Sequence, residues 1–280
     1  MALTDNHNSP TVSSPRPPAR PPVYLIGAGP GDPELLTLKA YKAIKQAEVV
    51  LYDNLVSEPI RALFPATAEL IYVGKQRHRH QLSQGDIEAQ LVAFAQTGKR
   101  VVRVKGGDPL VFGRGSEELL ALAKQGIDAE VIAGITAANG CGSSSEIPLT
   151  HRGLAQGCTF VTGHGRNEQP IDWSFLAAAN HTLVFYMGLN ALPQIRQQLC
   201  QHGMAANTPV ALVENGCRPQ QRLIHTSLEQ MAHDALRAQL QSPTLIYVGA
   251  VTELPLQLAQ LRAQAASNPS QFATLAKESA

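Results

Sequence analysis

Val101-Val-Arg-Val-Lys-Gly-Gly-Asp-Pro-Leu-Val-Phe-Gly-Arg-Gly115 decides how this chain folds. Its first part, Val101–Lys105, has the β-branched character of a buried strand. Gly106-Gly-Asp-Pro109 follows at once, so the strand delivers bare backbone and one carboxylate to its C-terminal edge. In open α/β sheets that edge is where ligands gather, and glycine permits both positive φ and close approach of a ligand to the main chain. Arg114 and Glu117 stand at the entrance of the helix that follows. Taken alone, Gly106-Gly-Asp108 reads more readily as a plain glycine-rich turn; the rest of the chain favours the binding edge.

Working outward, strand and glycine recur together. Val23-Tyr-Leu-Ile26 runs into Gly27-Ala-Gly-Pro-Gly-Asp32, and residues 34–47 carry helical spacing at Leu35, Leu38 and Ile44, with Pro33 suited to a first turn. Strands at 48–53, 70–73, 101–105 and 130–132 alternate with helices at 83–96 and 116–124, which predicts a parallel sheet covered on both faces. A second set has strands at 159–162, 182–187, 209–213, 222–225 and 245–248, with helices at 192–201 and 228–240. Gly27, Gly74, Gly106, Gly163, Gly188, Gly216 and Gly249 stand at strand exits, which predicts one ligand-lined crevice shared by two sheets. The segments 134–140 and 147–152 between the sets read as hinge and cleft lining. The expected division is a proline-rich disordered tail (1–22), an N-terminal α/β domain (23–136), a C-terminal α/β domain (137–254) and a C-terminal tail (255–280) able to add a helix.

Bulk properties narrow the function. The chain has 280 residues, 44% hydrophobic and 16% charged, which is a core-forming composition. A net charge of +1 gives no global field for nucleic acid, so anion selectivity must be local. No apolar run reaches the length of a membrane span, and residues 1–22 lack the apolar region of a secretory signal. The four cysteines are widely spaced without C-x-x-C, so reduced thiols in a cytoplasmic enzyme without a metal are expected.

Several clusters carry chemistry. Gly27-x-Gly-x-Gly-Asp32 with Asp53 downstream invites a dinucleotide reading, but Asp32 stands where that pattern wants its third glycine and Pro30 removes an N–H donor. Lys75-Gln-Arg-His-Arg-His80 reads either as a solvated basic loop or as an electrostatic collar for a small polyanion. Arg103, Arg114 and Arg152 are of the type that grips carboxylates bidentately. His151 and His164 are as readily structural as functional.

Together these residues resemble the tetrapyrrole methylases. The matching pieces are Gly27-Ala-Gly-Pro-Gly-Asp-Pro-Glu-Leu-Leu-Thr37, Val50-Leu-Tyr-Asp53, Val73-Gly-Lys75, Lys105-Gly-Gly-Asp-Pro-Leu-Val-Phe-Gly-Arg-Gly115, Gly134-Ile-Thr-Ala-Ala138, Ile147-Pro-Leu-Thr-His-Arg152, Val161-Thr-Gly-His164 and Tyr186-Met-Gly-Leu189. Ala133 and Ser143-Ser-Ser-Glu146 depart from the family, which usually has proline and a small apolar stretch there.

The resemblance implies two α/β domains with a cofactor cleft between them, not the Rossmann methyltransferase fold. It implies S-adenosyl-L-methionine as donor and S-adenosyl-L-homocysteine as product, with Pro30, Gly106, Gly107, Asp108, Val111, Thr136, Ala137, Met187 and Gly216 lining the donor site. Asp53 matches the proton acceptor and Lys75 the proton donor. Arg114, Glu117 and Arg152 match residues near the macrocycle, and Arg114, a poor base because guanidinium stays protonated, is read as positioning substrate. The implied reaction methylates uroporphyrinogen III, a polycarboxylate tetrapyrrole, at C2 and C7 to give precorrin-2, in a homodimer without nucleic acid or membrane. No dehydrogenase–chelatase module of the fused sirohaem synthases is expected in this chain.

Overall fold

The computed structural model describes residues 21–74, 82–163, 170–178 and 180–267. The first unit alternates as expected: β1 (Val23–Gly27), α1 (Leu38–Lys45), β2 (Val49–Tyr52), α2 (Glu58–Arg61), β3 (Glu69–Tyr72), α3 (Gln84–Gln96), β4 (Val101–Lys105), α4 (Gly115–Lys124) and β5 (Ala129–Ile132). Its sheet is parallel in the order β3-β2-β4-β1-β5, so the strand that opened the sequence reading is central. Successive side chains on a strand point to opposite faces. Val50, Val102 and Val104 therefore meet Ala40, Ile44, Ile60 and Phe64 on one face, while Val49, Leu51 and Val101 meet Leu91 and Leu122 on the other.

A helix, α5 (Ala137–Ser144), connects to the second unit: β6 (Cys158–Thr162), α6 (Trp173–Ala178), β7 (Thr182–Tyr186), α7 (Leu192–Gln201), β8 (Pro209–Glu214), β9 (Arg222–Ser227), α8 (Met231–Arg237), β10 (Thr244–Val248) and α9 (Leu254–Ser267). The order is β6-β7-β10-β8-β9, with only β6 and β7 parallel. Leu183, Phe185, Leu212 and Ile246 pack on α6, α7 and α8, whereas Val184, Tyr186, Val213 and Tyr247 pack on α5.

Capping explains where the expected boundaries move. The helix expected at 34–47 is two pieces. The Asp32 side chain accepts from Glu34 N (2.9 Å) and caps a 3-10 turn, Pro33–Leu35, and Thr37 Oγ1 accepts from Ala40 N (3.1 Å) and starts α1 afresh. The helix expected at 228–240 is only α8, ended by Gln239 at φ 52°. Segment 134–140, read as a hinge, leads into α5. Its Gly-Cys-Gly-Ser composition is poor for helix, but packing decides: a Cβ on Gly140 would lie 2.5 Å from Pro30 Cγ.

Of the seven strand-exit glycines, only Gly106 and Gly216 border the crevice; Gly163 and Gly188 instead pack against each other. Gly249 is not at the crevice. β10 runs antiparallel to β7 and β8, so its exit lies at the opposite edge, where Gly249 N donates to Pro209 O at the start of β8 (2.9 Å). The start of β10, Thr244 and Leu245, faces the crevice instead.

Candidate active site

A cavity of about 480 Å³ is lined from both units, within the range that small ligands occupy. Pro30, Gly106, Gly107, Asp108, Val111, Thr136, Ala137, Met187 and Gly216 all border it, as do Asp53 and Arg114.

Its floor is backbone against backbone. A Cβ on Gly27 would fall 2.5 Å from Gly134 N and 2.7 Å from Gly107 O, so three chain segments converge where no side chain fits. Gly29 and Gly107 exchange hydrogen bonds across this point (3.1 and 2.7 Å). Asp108 then ties the segments together: Oδ1 accepts from Leu110 N (2.8 Å) and Oδ2 from Gly134 N (3.1 Å). Each oxygen keeps a lone pair for a ligand.

The wall from the second unit is aromatic and apolar. Tyr186 shares a 2.6 Å hydrogen bond between its hydroxyl and Thr136 Oγ1, accepts from Ala138 N (2.9 Å), and lies against Phe112 with ring centroids 4.8 Å apart. Burial pushes the Tyr186 hydroxyl above its ordinary pKa. Met187 is exposed at the cavity mouth. Phe112 (φ 52°), Arg114 (φ 57°) and Met187 (φ 54°) take left-handed backbone, and so do Asn215 (φ 50°) and Cys217 (φ 60°) on either side of Gly216. Such conformations cost free energy in non-glycine residues and gather at functional sites. Gly216 itself lets the wall close, since a Cβ there would lie 2.2 Å from Cys141 Sγ.

Charges meet at the other wall. Asp53 Oδ2 pairs with Arg103 Nη2 (2.9 Å) and Oδ1 accepts from Leu55 N (3.0 Å). Arg103, expected to be free to grip a ligand carboxylate, is instead 3% exposed and paired with both Asp53 and Glu118. A guanidinium so nearly buried on the central strand has to find most of its anionic partners inside the protein. Lys105 Nζ donates to Glu118 Oε1 (2.9 Å).

The residues expected near the macrocycle separate. Arg114 borders the cavity and forms a two-point pair with Glu117, Nε to Oε1 at 2.8 Å and Nη2 to Oε2 at 2.6 Å. Glu117 lies outside the cavity, in the groove between α3 and α4. Arg152 is exposed and does not border the cavity. Lys75, the basic loop through His80, and His164 fall outside the described residues.

Sequence reasoning missed Lys105, Glu118, Tyr186 and Arg218. The signal for the first two was present: Arg103 and Lys105 share one face of a strand flanked by valines, and buried cations demand a buried carboxylate. Arg218 gave none. Its Nη2 donates to Leu55 O (2.8 Å) and its Nε to Pro30 O (3.4 Å), so a loop of the second unit clasps two turns of the first. The departure Ser143-Ser-Ser-Glu146 also finds a use: Ser144 Oγ donates to Gln221 Oε1 (2.8 Å), which accepts from Cys217 N (2.7 Å) and so braces the turn around Gly216.

Two α/β units, one with a parallel sheet and one mixed, that close a glycine-floored cavity between strand ends define a two-lobed α/β protein built to hold a small molecule. The family is the tetrapyrrole (corrin/porphyrin) methylases: residues 22–232 match it, and the chain belongs to it. A siroheme synthase of Edwardsiella ictaluri is 51% identical over 245 residues, covering 88% of this chain and 53% of that protein. The chain thus spans about half the length of the curated relatives it matches. Among solved structures, uroporphyrin-III C-methyl transferase from Thermus thermophilus in complex with S-adenosyl homocysteine is similar at a TM-score of 0.72 and 41% identity, over 84% of this chain and 94% of that one. A cobalt precorrin-4 methyltransferase is similar at a TM-score of 0.74 and 28% identity, over 82% and 95%. No helix among the described residues is long and apolar enough to cross a membrane.

Proposed function

We propose that this protein transfers methyl groups from S-adenosyl-L-methionine to C2 and then C7 of uroporphyrinogen III, giving precorrin-2 by way of precorrin-1. One observation carries the reading: the nine residues that the resemblance assigns to the donor border a single cavity, with Asp53 and Arg114 on its walls. The site residues fit such a ligand. Gly106 and Gly107 offer bare backbone, Asp108 retains acceptor capacity, and Val111, Phe112 and Met187 supply apolar surface.

The donor supplies an electrophilic methyl on a sulfonium, a displacement that needs no Lewis acid. The chain's part is alignment and charge. In this reading Asp53, whose direction is fixed by Arg103 and the Leu55 amide, takes the proton that the methylated, positively charged macrocycle must lose. Arg114 has N–H donors left beyond its pair with Glu117 and positions a substrate carboxylate. A cytoplasmic homodimer is the setting carried over from the resemblance.

The test supplies purified protein with donor and uroporphyrinogen III and follows absorbance and product mass. A gain of two methyl groups is expected. Donor binding without turnover, or methylation only of a later precorrin, would overturn the reading.

A further inference from the structure

Arg103 and Lys105 border the cavity, yet both turn onto one oxygen behind it: Glu118 Oε1 lies 3.2 Å from Arg103 Nε and 2.9 Å from Lys105 Nζ. Glu118 does not border the cavity and is 0% exposed. It rises from the first turns of α4, where the helix N-terminus favours a carboxylate. Its second oxygen, Oε2, is buried with no hydrogen-bond partner among the described residues. A dry carboxylate with an idle oxygen is a poor device for stability, since apolar side chains of similar volume often serve as well or better in such places. Its effect on local charge is plain. With Asp53 on Arg103 Nη2 at 2.9 Å, the two cations and two anions of this cluster balance one another. Among the described residues it therefore adds no net charge to the Asp108, Arg114 and Arg218 that also border the cavity. Burial pushes the Lys105 amine below its ordinary pKa, Arg103 pushes the same way, and Glu118 opposes both.

We propose that Glu118 is a positioning residue that sets the charge of the donor site: by holding Arg103 and Lys105 against itself, it lets the cavity accept a sulfonium rather than repel it. The proposal rests on the donor reading above. A sulfonium donor carries one positive charge more than the thioether it becomes. An uncompensated cation at the cavity wall acts on the first ligand and leaves the second nearly untouched. The ratio of the two affinities therefore reports local charge, whereas a purely structural defect weakens both alike.

The experiment is titration calorimetry of S-adenosyl-L-methionine and S-adenosyl-L-homocysteine with wild type, Glu118→Gln, Lys105→Met and the double variant. Glu118→Gln keeps size and an acceptor but leaves one net positive charge, so the donor-to-product ratio of Kd values should rise about tenfold. Lys105→Met should move the ratio the opposite way, and the double variant should return it toward wild type. Wild type that binds neither ligand would overturn the donor reading itself. Wild type that binds both, with Glu118→Gln losing both equally or neither, would overturn the role of Glu118 alone. Should Glu118→Gln not fold, Lys105→Met decides: a ratio shifted toward the donor supports the proposal, and an unmoved ratio overturns it.

Discussion

The Asp108 carboxylate is built into the backbone before any ligand arrives, through the amides of Leu110 and Gly134. Charge-assisted bonds of this kind each contribute about 1.5–3 kcal/mol, so the side chain shapes the floor as well as facing the cavity. Asp108→Ala should weaken S-adenosyl-L-homocysteine binding by at least about tenfold and macrocycle binding by less; calorimetry showing equal losses would remove Asp108 from the donor site. The cysteines differ in a way their spacing did not reveal. Among the described residues all four are free thiols. Cys217 is pulled down to about 6, chiefly by its hydrogen bond with Cys141, while the same contact and burial push Cys141 up. Burial raises Cys158 to about 11. Alkylation followed by peptide mass should find Cys217 reacting with a midpoint near pH 6 and Cys158 silent through neutral pH. Uniform reactivity near the ordinary thiol value would contradict the Cys141–Cys217 contact.

At the scale of elements, most strands were legible because they join an apolar run to a glycine stop, although β2 and β9 have none, and β4 and α7 fall where periodicity puts them. The weak helices were not. Within α5, Gly140 sits against Pro30, and Gly142 sits 2.8 Å (as a notional Cβ) from Ile147 O; the glycines that lower helix propensity are what let the packing form. Strand direction in the second unit was hidden too, because periodicity reports burial and not orientation. The end of β8 carries a buried carboxylate. Glu214 receives Arg222, which holds its pKa below the ordinary carboxylate value, and accepts from the Gln241 amide. A carboxyl depressed on folding stabilises fully above its unfolded value, near 4.5, and loses that contribution as pH falls through the lower folded value. Glu214→Gln should therefore cost about 1–2 kcal/mol at neutral pH, modest because Arg222 is half exposed. In urea unfolding the gap to wild type should narrow below pH 4.5; a pH-independent gap would show that charge is not the cause.

Across the whole molecule, the candidate site exists because the two units are held at one distance. Gly140 against Pro30 sets the approach, and Arg218 fastens it to the carbonyls of Pro30 and Leu55. The motifs brought nine candidate donor residues to one cavity. They did not show that Arg103 is consumed by Asp53 and Glu118, or that Glu117 and Arg152 stand apart from that cavity, since side-chain partners depend on the third dimension. Arg218→Ala should speed hydrogen exchange in the turns around Gly31 and Leu55 while β4 stays protected; unchanged exchange would assign the closure to packing alone. The most direct test is a crystal structure with S-adenosyl-L-homocysteine bound. Its nucleoside should lie against Gly106, Gly107, Asp108 and Thr136, with Met187 and Gly216 opposite, and a nucleoside lodged anywhere else would contradict the account.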